Sequence, residues 1–193
     1  MRCVVGPMIM CLAAQVIAGC PVPVQNTPSQ AAKQLAIAKL GPLLACKPDD
    51  PINDQSPCNT FASKGLEAIY GVIDFKTGPN QFMSANKIHE KIKSSSKWKA
   101  IGTVFNVDNG LCAQSASNAA MPVVAVMTGN PHGHIALVTP GEPQKSGTWN
   151  MLVPMSASFF YKEPSKAYLD GPLSKAFGPA NASNATYYYR LTN

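Results

Sequence analysis

The sequence predicts an α+β domain, with helices first and an antiparallel sheet after them. Two patterns carry that expectation. Apolar residues recur at three- and four-residue spacing through the first two thirds of the chain, whereas the last third holds short continuous apolar runs separated by Gly, Pro and Asn. Composition adds a third observation: 193 residues with 46% hydrophobic and 13% charged content have enough apolar surface for one core and too much for a disordered chain. No internal repeat divides the chain, so one domain is expected.

The elements follow in order. Arg2, an apolar stretch over residues 8–17 broken only by Gln15, and then Ile17-Ala18-Gly19-Cys20 form an export signal over residues 1–20, too short to span a bilayer. Ile-Ala-Gly-Cys resembles the bacterial lipobox, in which the cysteine is lipidated; the alternative is a plain secretory signal cut near Gly19, with Cys20 a spare thiol. Pro21 stands where inner-membrane retention usually places Asp, so the lipobox reading implies an anchor in outer-membrane lipid, on its periplasmic face. Without lipid the protein is periplasmic or secreted. Residues 21–30 read as a tether, and residues 31–193 as the domain.

A helix is expected over residues 29–44, disturbed at its end by Gly41-Pro42. Residues 47–57 carry three prolines and three aspartates and form a loop that delivers the chain to Cys58. Phe61, Ala62, Leu66, Ile69 and Tyr70 then mark a helix opened by Cys58 and closed by Gly71. Ser84 caps a helix over residues 84–93 that buries Ile88 and Ile92, and an alanine-rich helix follows over residues 111–120. Residues 122–128, 133–139 and 149–155 read as three antiparallel strands, and residues 186–191, with Tyr187, Tyr188 and Tyr189, as a closing strand.

Sixteen Lys and Arg against ten Asp and Glu give a net charge of +6. The lysines are scattered singly, without the Arg-rich, aromatic-interleaved stripe of a nucleic-acid groove, so nucleic acid is excluded as the expected partner. Such a surface fits anionic polymers or a membrane face.

The chemistry centres on Cys58. A helix start favours a thiolate through its unpaired amides and macrodipole. The candidate bases are His89, His132 and His134. His89 sits among lysines on a helix and reads as solvated; His132 lies in the turn Asn130-Pro131-His132-Gly133. His134 opens the strand Gly133-His134-Ile135-Ala136-Leu137-Val138, where sheet and backbone fix its place, and is the better base.

A cysteine on a helix followed by Gly-His-Ile-Ala-Leu-Val on a strand resembles the papain-like peptidoglycan hydrolases, the NlpC/P60 and CHAP-type amidases and endopeptidases, including amidase effectors of bacterial competition. Cys58-Asn59-Thr60-Phe61 is similar to the Cys-Asn-x-Phe-Val helix start of one branch. The stretch from Ala113 through Asn118 to Val123-Val124-Ala125-Val126 and His132-Gly133-His134 is similar to that branch's alanine-rich helix and first two strands. The likeness covers about residues 48–160. It implies a papain-like fold and cleavage of an amide bond in the peptide part of peptidoglycan, with peptidoglycan or its stem peptides as partner and no cofactor. For the effector branch it also implies an immunity protein. The noncatalytic alternative is a wall-binding lipoprotein that keeps the fold with a weakened triad.

In such a site Cys58 attacks the carbonyl carbon and His134 carries the proton to the leaving amine. A third polar group orients the imidazole. If the His134 strand pairs antiparallel with residues 149–155, Ser156 is favoured there over Asn150, although an amide accepts more strongly than a hydroxyl. The Cys58 amide and a polar group of residues 53–55 would meet the oxyanion.

Once residues 1–20 leave or Cys20 takes lipid, Cys46, Cys58 and Cys112 remain. If Cys58 stays reduced, Cys46 and Cys112 are the pair left for a disulfide; the alternative is two buried thiols. A metal held by His132, His134 and Cys58 is the rival to catalysis, without an adjacent acidic ligand, so no metal is expected. Trp98, Trp149 and the Tyr187–Tyr189 run read as core or as the lining of a glycan groove. The sequons at Asn181 and Asn184 read as a loop.

Overall fold

The computed structural model describes residues 19–22, 27–45 and 57–192. Helix α1 (Gln30–Leu40) starts at Ser29, whose hydroxyl accepts from the Ala32 amide at 3.3 Å, and passes into a 3-10 turn, Gly41–Ala45, where Pro42 cannot continue the α-helical ladder. Helix α2 (Pro57–Tyr70) buries Phe61, Ala62 and Leu66, and ends at Gly71 with φ of 67°, a conformation that costs a glycine little. A two-stranded ladder, β1 (Lys76–Gly78) and β2 (Gln81–Phe82), leads to α3 (Ala85–Ser94). Ser84 caps α3, and Ile88 and Ile92 point into the core, as expected from the sequence.

Helix α4 (Val107–Asn118) begins four residues earlier than expected, because the Asn106 carboxamide accepts from the Asn109 amide at 3.0 Å and caps it there. Its small residues Cys112, Ala113 and Ala116 are fully buried, so the helix lies close on the sheet.

Six antiparallel strands form that sheet: β3 (Trp98–Thr103), β4 (Val123–Met127), β5 (His134–Val138), β8 (Met155–Ser158), β9 (Tyr168–Pro172) and β10 (Ala185–Arg190), in the order β3-β10-β4-β5-β8-β9. A separate hairpin holds β6 (Gln144–Ser146) and β7 (Met151–Val153), and a one-turn helix, α5 (Pro179–Ala182), precedes β10. The closing strand of the sequence reading is therefore a central strand. The expected strand over residues 149–155 is divided at Pro154, which has no N–H to give: β7 joins the hairpin and β8 joins the sheet beside β5.

Both faces of the sheet are covered, which explains why β4 and β5 read as continuous apolar runs rather than alternating ones. On one face α4, Trp149, Leu173 and Phe177 pack on Val123, Ala125, Ala136, Val138 and Tyr187. On the other, Leu40, Phe61, Leu66, Ile88 and Ile92 of α1 to α3 pack on Val124, Val126, Ile135, Leu137 and Ala157. Gly65 allows α2 its close approach, since a Cβ there would stand 2.6 Å from both Leu137 Cδ1 and Leu40 Cδ2.

The first face is fastened by a buried polar latch. Gln114 Nε2 donates to Thr139 O (2.9 Å) and Asn118 Oδ1 (3.2 Å), and its Oε1 accepts from the Met155 amide (2.6 Å); Asn118 pairs with both the N–H and C=O of Gly141. On the second face Asp74 accepts from Trp98 Nε1 (2.9 Å) and Arg190 Nε (2.8 Å). Burial would raise the Asp74 carboxyl, but Arg190 and Trp98 outweigh it and hold it below the usual range.

Cys20 is bonded to Cys112, with Cα atoms 5.5 Å apart, and Val22 is buried in the α4 layer. Three expectations change. Cys112 is not available to Cys46, so the Cys46–Cys112 bridge is replaced by one that reaches further back along the chain; Cys46 lies outside the described residues. The Cys20 sulfur is occupied and cannot also carry a lipid thioether. Cys20 and Val22, expected in the signal and the tether, pack against the domain, and residues 1–18 of the expected signal lie outside the described residues. No helix among the described residues is long and apolar enough to cross a membrane.

Candidate functional site

His134 opens β5 opposite Met127 of β4. Its Nε2 is 2.9 Å from the Ser158 hydroxyl, which either donates to the ring or accepts from it according to tautomer. Phe160 stacks on the imidazole with centroids 5.2 Å apart and an interplanar angle of 16°, and Phe177 meets it edge-on at 5.2 Å. Burial among these rings pushes the pKa of His134 down to about 4, so the imidazole is neutral at pH 7 and able to accept a proton.

The third residue is a correction. Ser156, expected beside His134, is fully buried and spends its hydroxyl on Tyr168 Oη (2.9 Å) and Gly171 O (3.2 Å). The register explains the difference: Val138 stands opposite Ser156, so the His134 end of β5 faces the far end of β8, where Ser158 lies. Asn150, the alternative, is an exposed turn residue of the β6–β7 hairpin with φ of 50° and is not a partner of His134. The sequence reading missed Ser158 because it ended the strand at Met155; the small residues of Met155-Ser156-Ala157-Ser158 after Pro154 were the available signal.

Cys58 is the second residue of α2, and its side chain lies outside the described residues, as do residues 53–55. The course of the helix is nevertheless defined. Phe61 stacks on Phe159 at 6.2 Å, and Gly65 lies against Leu137. Continuing the β5–β8 register sets Phe159 level with Ile135. Four helical residues rise about 6 Å and two strand residues about 6.6 Å, so α2 runs parallel to β5. Cys58 precedes Phe61 by three residues, about 4.5 Å by the same rise, toward the end of the sheet at which β5 starts. The two elements start at the same end of the sheet but not on the same face: His134 shares the alternation of Ala136 and Val138 and packs on Phe177, while α2 covers Ile135 and Leu137.

The other histidines behave differently from one another. His132 is exposed in the turn before β5. His89, expected to be solvated, is 3.0 Å from the Tyr188 hydroxyl and edge-on to its ring, and its pKa is lowered by burial and then by Lys93, against the opposing pull of Glu90. No group of three or more His, Cys, Asp or Glu among the described residues is placed to hold a metal. The aromatic residues considered for a glycan groove are core: Trp98 stacks on Phe75, and Trp149, Tyr187, Tyr188 and Tyr189 are buried. Asn181 lies in α5 rather than in a loop. An open bay of about 350 Å³ lined by Asp74, Lys91, Ser94, Lys97 and Trp98 contains none of the predicted site residues.

No protein-family model matches this chain, and no curated protein resembles it in sequence.

Proposed function

We propose that this protein is an exported cysteine hydrolase of papain-like fold that cleaves an amide bond in the peptide part of peptidoglycan. What supports the reading is the course of α2 along β5: the helix begins at Pro57-Cys58 and the strand begins at His134, and Phe61 and Gly65 follow the sheet from Phe159 to Leu137. The helix start favours a Cys58 thiolate, and the neutral His134 imidazole is the acceptor for the thiol proton. The thiolate attacks the carbonyl carbon, the protonated imidazole returns the proton to the leaving amine, and water then releases the acyl-enzyme through the same histidine. Ser158 takes the orienting role that Ser156 was expected to fill. A serine hydroxyl holds a ring less firmly than a carboxylate, which predicts a slower enzyme than one with an acidic third member. The Cys20–Cys112 bond fits an oxidising compartment, periplasmic or extracellular.

One observation favours a second reading, a noncatalytic wall-binding protein that keeps the fold. The His134 ring is packed between Phe160 and Phe177 on the sheet face opposite α2, so proton transfer requires sulfur and imidazole to meet around the end of the sheet. Turnover separates the two. Protein lacking residues 1–18 and retaining Cys20 is incubated with peptidoglycan sacculi or muropeptides, and released amines are followed by mass spectrometry. Cleavage abolished by Cys58→Ala supports the hydrolase; sedimentation with sacculi and no cleavage by the unsubstituted protein supports the binding protein.

A further inference from the structure

The turn over residues 128–133 delivers the chain to His134, and it is clamped from another element. Asn86, the second residue of α3, donates from Nδ2 to Gly129 O at 2.9 Å and to Pro131 O at 3.5 Å, while its Oδ1 accepts from the Gly129 amide at 3.2 Å. One carboxamide thus satisfies both backbone groups of Gly129, in the way a neighbouring strand would. The turn is packed too tightly for side chains where it meets this clamp. A Cβ on Gly133 would stand 2.3 Å from Met127 O and 2.6 Å from Asn86 Oδ1, and one on Gly129 would stand 2.6 Å from His132 O.

We propose that Asn86 is a positioning residue: it fixes the 128–133 turn against α3 and so sets how His134 enters β5 and meets Ser158. Its importance for catalysis rests on the hydrolase reading above, whereas the clamp itself does not. Glycine is required at 129 because the turn's own His132 carbonyl fills the space a Cβ needs, and at 133 because Met127 O and the Asn86 carboxamide do. Among the described residues, the side chains that meet His134, namely Ser158, Phe160 and Phe177, carry no charge, so the titration of the ring reports how deeply the turn seats it.

The test uses isotope-labelled protein with the Cys20–Cys112 bond intact and reads amide exchange and imidazole titration by NMR. In the unsubstituted protein the Gly129 amide and the Asn86 side-chain amide exchange slowly. In Asn86→Ala, loss of the hydrogen bond speeds exchange at Gly129 by about tenfold or more, and the His134 titration moves upward from its depressed position toward that of an exposed histidine. Lys87→Ala, an exposed change on the same helix, alters neither. A merely structural contribution of Asn86 would lower the melting temperature without moving the His134 titration. Fast exchange at Gly129 in the unsubstituted protein overturns the proposal even if no variant folds, and so does an Asn86→Ala protein whose His134 titrates as before. None of these readouts needs turnover, so a protein without hydrolase activity would sink the catalytic reading and leave the clamp standing.

Discussion

Acid should destabilise this fold before its carboxylates titrate, and His134 is the reason. Its pKa falls from 6.5 to about 4 on folding, because burial penalises the charged ring. The unfolded chain therefore takes up a proton over a range in which the folded protein does not. Stability from this group is complete above pH 6.5 and is lost as pH falls from 6.5 toward 4. Linkage gives a loss of about 2 kcal/mol at pH 5 and about 3 kcal/mol once pH is below the folded value. Solvent at the exposed edge of the ring makes both figures upper bounds. Asp74, held below the usual carboxylate range, acts in the same direction but in a lower window: its share is lost only at more acidic pH. His89 is depressed by burial as well and adds to the same window. Urea unfolding of the unsubstituted protein and of His134→Gln, each at pH 7.5 and pH 5, isolates the His134 share as the difference between the two pH dependences. An equal loss of stability in His134→Gln, or an NMR titration of His134 near 6.5, would refute the argument.

Two further outcomes follow from the packing. A nonreduced digest should yield a peptide linking Cys20 to Cys112, with Cys46 and Cys58 alkylated by iodoacetamide; breaking that bond by Cys20→Ser opens a sequence separation of 92 and should cost about 4–5 kcal/mol in the chain-entropy account, read from the urea midpoint. Gln114→Ala should cost about 2–4 kcal/mol, because it leaves the buried Met155 amide and Thr139 carbonyl without their partner, and Gln114→Leu, which restores bulk but no hydrogen bond, should not recover it.

Local signals in the sequence located most elements. Ser84 with Ile88 and Ile92 defined α3, Gly71 defined the end of α2, and the runs around Val123–Met127 and His134–Val138 were strands because both their faces are covered. What the sequence did not reveal was set by pairing between distant segments. β3 was not recognised, since its exposed lysine and alternating small residues make sense only beside β10. Ser158 was missed because its relation to His134 depends on a register fixed by Leu137 and Ala157, and a shift of two residues along β8 exchanges one serine for another. Counting thiols could not find the Cys20–Cys112 bond either, because it joins a residue assigned to the export signal to the middle of a helix.

The position of β10 has a consequence for how the chain is completed. β10 lies between β3 and β4, and among the described residues it is the only strand to which β3 is hydrogen-bonded. As the chain emerges from synthesis, β4, β5 and β8 can pair in succession, while β3 waits for a segment that arrives more than eighty residues later. Until then the nascent protein exposes two raw strand edges, β3 and the outer side of β4, each able to recruit the wrong neighbour. The same arrangement makes the chain divisible. Cut in the exposed stretch at Ser183-Asn184, it would leave a body with a vacant slot and a short peptide carrying β10, Ala185–Arg190, shaped to fill it. That is the basis of a split reporter whose halves recombine by strand insertion.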